Sequence, residues 1–247
     1  MNKSEEYRKE LHNSRNWDDY LRKASGLPGP RGNLELAQVV VDEGNQELFE
    51  RYLLLTPEKA PENTQEVFLA FCGVVGLGRL VAEGKRKYLL PLRKLSSDPR
   101  WRIREGVAMA LQRLGDIDME LLIDEMDRWS KGGPLEQRAA AAALCEPRLL
   151  NKEEYGKRTL KILNVITSSI RIQKDRKGDE FIALRKGLGY CWSVAVVASP
   201  TYGEELMEKW IASEDKDIRW IMKENLKKNR LMQCDVKWTK KMVKKME

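Results

Sequence analysis

Residues 98–115 read DPRWRIREGVAMALQRLG, and the spacing of their apolar positions decides the fold class. Ile103, Val107, Ala110, Leu111 and Leu114 recur at three- and four-residue intervals, which puts them on one stripe of a helix and marks that stripe as buried. Asp98-Pro99 is a helix start: a carboxylate able to accept from unpaired N–H groups precedes a residue whose φ is already helical. Gly115 reads as the stop, because glycine enters the left-handed region that ends helices without steric cost. Trp101 and Glu105 lie one turn apart on roughly the opposite side. The helix thus has a core face and, turned away from it, an aromatic ring beside a carboxylate.

The pattern returns along the chain. An apolar residue followed by arginine, then small or apolar residues at helical spacing, is found at Ile103-Arg104 with Val107, Ala108 and Leu111. It recurs at Leu184-Arg185 with Leu188, Gly189 and Trp192, and at Ile218-Arg219 with Met222 and Leu226. A weaker echo is Gln137-Arg138 with Ala141, Ala142 and Cys145. Each is preceded by a helix and a polar turn, giving repeats of ~40 residues, about five or six in the chain. Such hairpins leave apolar surface open until a neighbour stacks on it, so the units support one another.

The chain resembles the HEAT/armadillo class of helical repeats on the residues just quoted, most clearly over residues 65–230. The resemblance implies an all-α, right-handed superhelix (a solenoid) of HEAT-like antiparallel helix pairs, with second helices lining a concave groove. It further implies a single domain over 1–247: an N-terminal helix and Pro/Gly loop at 1–32, repeats at 33–230, and a basic capping helix at 231–247.

The remaining sequence fits helices. Residues 4–23 form one amphipathic segment anchored by Tyr7, Leu11, Trp17 and Tyr20, and GLPGPRGN ends in Asn33, a helix cap. Residues 67–84, VFLAFCGVVGLGRLVAEG, read as a buried helix whose glycines permit close helix–helix approach. Its length and Arg79 argue against a membrane span, no other apolar run approaches ~20 residues, and the N-terminus lacks the apolar core of a signal peptide. An integral membrane protein is not expected, and the cytoplasm is the expected compartment.

The composition narrows the chemistry. The four cysteines, Cys72, Cys145, Cys191 and Cys234, form no Cys-x-x-Cys pair, and the one histidine is His12. Metal sites and histidine-based nucleophile systems are not expected, nor is any cofactor. The acidic run 116–127 lacks the spacing of a calcium loop and reads as a solvated helix face. The C-terminal 32 residues hold 11 Lys and Arg against 4 Asp and Glu, which accounts for the whole net charge of +7. Arg219, Lys223, Lys227, Lys228 and Arg230 are followed by Lys237, Lys240, Lys241, Lys244 and Lys245, interleaved with Trp220 and Trp238. This basic patch suits a solenoid cap, polar outside and apolar inside through Val236, Thr239, Val243 and Met246, that also contacts anionic partners.

Two functions follow. The first is a non-catalytic binding or scaffold module that holds a macromolecular partner in the groove, protein first and nucleic acid second. Trp101, Arg104, Glu105, Arg138 and Arg185 would line that groove, and no motif fixes an oligomeric state. The second rests on a local resemblance to HEAT-like DNA alkylpurine glycosylases. There a tryptophan stands four residues before an acid, and an arginine sits in a Gln-Arg-Ala-Ala helix one repeat later. The resemblance implies that Trp101 packs against the sugar of an alkylated nucleotide, Glu105 stabilises the cationic sugar as the base departs, and Arg138 holds a phosphate. The family carries Asp where this chain has Glu105.

Overall fold

The computed structural model describes residues 2–246, and among these there are helices and turns but no β-strand. The protein is all-α, as the helical periodicity predicts. Two compact units make up the chain, Met1–Ile117 and Asp118–Glu247.

The first unit contains α1 (Lys3–Asn13), α2 (Trp17–Ala24), α3 (Leu34–Glu43), α4 (Gln46–Leu53), α5 (Gln65–Ala82), α6 (Leu89–Leu95) and α7 (Trp101–Ile117). Asparagines set four of the starts: Asn2, Asn16, Asn33 and Asn45 each accept a backbone N–H in the first turn of α1 to α4. The Asn16 cap divides residues 4–23, expected as one helix, into α1 and α2. Trp17 Nε1 then donates to the Leu11 carbonyl at 2.9 Å and ties the two together.

Helix α5 is the core of this unit. Val67, Leu69, Cys72, Val75, Leu77 and Leu80 are all buried, and α2, α3, α4 and α7 pack around the helix. Glycine makes the approach possible at two points. A methyl group at Gly78 would stand 2.2 Å from the Ala110 carbonyl oxygen of α7, and one at Gly76 would stand 2.4 Å from the Phe49 ring of α4.

Helix α7 does not stop at Gly115. It runs to Ile117 with Gly115 buried and outside the positive-φ region, and the chain turns where Asp118 accepts the Leu121 N–H. Nor does Pro99 open the helix. Asp98 accepts instead from the Arg100 backbone N–H and pairs with its guanidinium at 2.8 Å, both side chains less than a tenth exposed, and α7 begins at Trp101.

The second unit contains α8 (Met119–Trp129), α9 (Pro134–Leu144), α10 (Glu153–Ser169), α11 (Asp179–Ala198), α12 (Pro200–Ile211), α13 (Lys216–Leu226), α14 (Asn229–Cys234) and α15 (Val236–Lys245). Here α11 is central and packs against α9, α10, α12 and α13. Its Trp192 is fully buried and donates Nε1 to Thr167 of α10. Asn225 of α13, also fully buried, accepts the Ser193 N–H and donates to the carbonyls of Leu188 and Ile221. It joins α13 to the α11 backbone with its polar atoms satisfied.

Packing in both units skips alternate helices: α3 to α5 to α7 in the first, and α9 to α11 to α13 to α15 beside α8 to α10 to α12 in the second. Two of these helices, α5 and α11, are long and apolar enough to cross a membrane by length and composition. The length argument against α5 therefore does not hold, since 18 residues span about 27 Å. What the structure places inside the protein is 78% of the α5 window and 56% of the α11 window.

The C-terminal cap differs in phase from the sequence expectation. Asp235 accepts the Trp238 N–H and starts α15, so Trp238, Thr239, Met242 and Met246 face inward. Val236 and Val243, expected on the apolar face, are 46% and 39% exposed.

Candidate functional site

The expected α7 site divides into three different environments. Trp101 stands 42% exposed, with the Arg102 guanidinium 4.6 Å from its ring centre. Arg102 itself is buried: it donates to the Gly29 carbonyl at 2.8 Å and lies 3.3 Å from the Glu62 carboxylate. One face of the indole is thus covered by a cation that the fold holds in place. Arg104 turns back to the preceding turn and donates to the carbonyls of Asp98 and Pro99 at 2.6 and 2.8 Å, so its guanidinium closes the start of the helix. Glu105 is half-buried beside a crevice lined by Leu27, Leu34, Phe68 and Phe71, with about 10 Å³ of space, the room of one water.

Arg138 and Arg185 belong to the second unit. Arg138 runs along α11, where a methyl group on Gly187 would meet its Cγ at 3.4 Å. Arg185 donates to Asp217 at 2.7 Å and lies 4.7 Å above the Trp220 ring. Asp217 is buried and also takes Arg176 at 3.1 Å, and Arg176 reaches Asp215 at 2.8 Å. Arg176 beside it holds the Asp215 carboxyl below the usual carboxylate range, against the opposing effect of burial. Arg185 is accordingly part of an ion-pair network joining α11 and α13 to the turn before α11. Gln137, next to Arg138, is buried and donates to the Ser130 carbonyl, so the Gln-Arg-Ala-Ala segment contributes three buried residues, Gln137, Ala139 and Ala140, and one partly exposed cation.

The basic C-terminal residues separate into two groups. On α15, Lys237, Lys240, Lys241, Lys244 and Lys245 are all exposed, and among the described residues none of them is in an ion pair. Trp238 between them is buried and donates Nε1 to Glu208 at 2.8 Å. The α13–α14 link carries the second group. Lys227, Lys228 and Arg230 rim a depression of about 690 Å³ whose floor includes Leu150, Val194 and Val197. Lys227 is paired with Glu224 at 2.5 Å. Arg230 keeps its charge against a neutral partner, lying 4.6 Å over the Tyr190 ring and donating to its hydroxyl at 2.7 Å. Arg219 and Lys223 lie on α13, half-buried and exposed, and do not line the depression.

Sequence reading identified the cations of this depression but not its apolar floor. The turn at Pro147 and the β-branched run 194–197 were the signals, and they are far from 227–230 in the chain.

The thiols and the histidine do not form a reactive cluster. Burial pushes the Cys72 thiol far up, and burial together with the adjacent Cys191 thiol does the same for Cys145. His12 is exposed, 3.1 Å from Glu43. Among the described residues no three His, Cys, Asp or Glu side chains are grouped so as to hold a metal ion. No family model matches the chain, and neither a curated protein nor a solved structure matches it.

Proposed function

We propose that the protein is a non-catalytic binding module of HEAT-like helix pairs that holds an anionic protein partner against its basic C-terminal surface. The arrangement of stacked hairpins is supported by the alternate-helix packing, which forms one row in the first unit and two in the second, the latter being the neighbour pattern that layers of first and second helices produce. The observation that carries the functional reading is α15: five lysines point to solvent while Trp238, Thr239 and Met242 hold the helix to the protein. A cap needs one polar face; five exposed lysines with no ion pair among the described residues add a concentrated positive field that an acidic partner would neutralise.

Retention of the chain on immobilised poly-L-glutamate tests this. Binding should weaken steeply with salt, and reversing Lys240, Lys241 and Lys244 to Glu should abolish it, whereas equal retention of that variant would refute the reading.

The DNA glycosylase reading has one observation in its favour, the exposure of Trp101. Incubation with duplex DNA carrying 7-methylguanine tests it: free base should appear and should be lost in Glu105→Gln. The space beside Glu105 is too small for a nucleoside as the side chains stand, which ranks this reading second.

A further inference from the structure

The geometry points to the depression between Val197 and Arg230 as the seat of a short acidic peptide segment that carries a bulky apolar side chain. This deepens the reading of a basic binding module by naming a second contact and the chemistry of what enters it.

The depression combines an aliphatic floor with a cationic rim. Its floor is aliphatic: Leu150 and Val194 are almost fully buried, and Val197 remains 37% exposed, an apolar surface with nothing on it. Its rim holds three cations, unequally available. Lys227 is satisfied by Glu224, whereas among the described residues Lys228 has no ion-pair partner and Arg230 has only the neutral Tyr190 hydroxyl and ring. Arg230 is held in one orientation by that ring, with one of its five N–H donors used, so it presents a fixed fork for a carboxylate. About 690 Å³ accommodates two or three side chains and lies within the usual range for ligand clefts.

A peptide fits this chemistry better than a nucleic acid. Single strands are held by stacking bases on open aromatic faces. No aromatic residue lines the depression, and the nearby rings of the same unit are already faced by guanidinium groups: Tyr190 by Arg230, Trp220 by Arg185 and Trp210 by Arg171. An aliphatic floor instead rewards a leucine or phenylalanine, while two open cations one residue apart from each other reward flanking carboxylates.

The test uses the full chain and a fluorescein-labelled peptide, Asp-Glu-Leu-Phe-Glu-Asp, read by anisotropy. Two variants address the site, Lys228→Glu with Arg230→Glu, and Val197→Asp. Both alter partly exposed side chains, and far-UV circular dichroism checks that each retains its helices. Each variant should weaken the peptide by about tenfold. Reversal of Lys240, Lys241 and Lys244 should change it less than about twofold, because those lysines lie outside the depression.

Unchanged binding in both site variants overturns the proposal. So does peptide binding lost only on reversal of the α15 lysines, which would leave the basic-module reading intact. Equal competition by an oligothymidylate, lost in the same variants, overturns the peptide assignment in favour of nucleic acid. Failure of both the peptide and poly-L-glutamate to bind the wild-type chain refutes this proposal and the module reading together.

Discussion

Replacing Gly78 by alanine should destabilise the first unit, although the substitution lies inside a helix where alanine is the better former. Intrinsic propensity favours Ala over Gly by about 1 kcal/mol. Against this, the new methyl group would stand 2.2 Å from the Ala110 oxygen, 2.4 Å from its Cα and 2.6 Å from its carbonyl carbon. These are backbone atoms of α7, so no side-chain rotation relieves the overlap. To reach ordinary contact the two helices must separate by roughly 1 Å, a gap that forfeits a quarter to a half of each dispersion contact along the seam. Overpacking of this kind costs about 1–3 kcal/mol where side chains yield, and more where they do not, so we expect a net loss of about 2–4 kcal/mol. Urea denaturation followed by far-UV circular dichroism reads it as a lower midpoint at unchanged slope. Gly187→Ala is the control, because its methyl group would meet only the Arg138 Cγ at 3.4 Å and should stabilise by about 0.5–1 kcal/mol. A Gly78→Ala midpoint equal to or above wild type would refute the claim that close α5–α7 contact organises the unit.

Asp18 offers a pH prediction. Its hydrogen bonds from Arg51, at 2.7 and 2.9 Å, and then from Tyr52 hold its carboxyl below the usual range despite burial. A lowered folded pKa means the stabilisation is present above the ordinary carboxylate pKa and is lost as pH falls through the folded value. Asp18→Asn should therefore cost about 1 kcal/mol at neutral pH and nothing in strong acid, as measured by thermal melts across pH. Thiol reactivity offers another. Cys72, Cys145 and Cys191 are buried, and Cys234 is exposed with its pKa raised by partial burial, Glu204 and Asp235. A disulfide reagent should label one thiol in the native chain, faster as pH rises, and four after denaturation.

Much of the helical content was legible because it is local. The cap at Asn33, the stripe of Ile103, Val107 and Leu111, and the buried glycine-rich α5 follow from spacings within a few residues. The departures have local causes that were visible but ambiguous. Asn16 could be read as a polar position inside a helix or as a cap, and the structure uses it as a cap. Gly115 could end a helix or pack within one, and burial decided for packing. On α15 the phase depended on which residue capped; Asp235 did, and that turned Trp238 inward and Val243 outward. The depression rimmed by Lys228 and Arg230 was not legible, because its floor comes from the turn after α9 and the end of α11. The fates of Arg104 and Arg185 were hidden for the same reason. An arginine in a helical pattern does not reveal that its guanidinium will bond to the preceding turn or to an aspartate one helix pair away.

The most direct test of the account is the salt dependence of binding to poly-L-glutamate, measured in parallel with unmodified duplex DNA. The account expects the acidic polypeptide to bind and to elute progressively with salt, and the Lys240, Lys241 and Lys244 charge reversal to remove that retention while the helices remain. Absence of retention at low salt, or retention indifferent to those lysines, would contradict it.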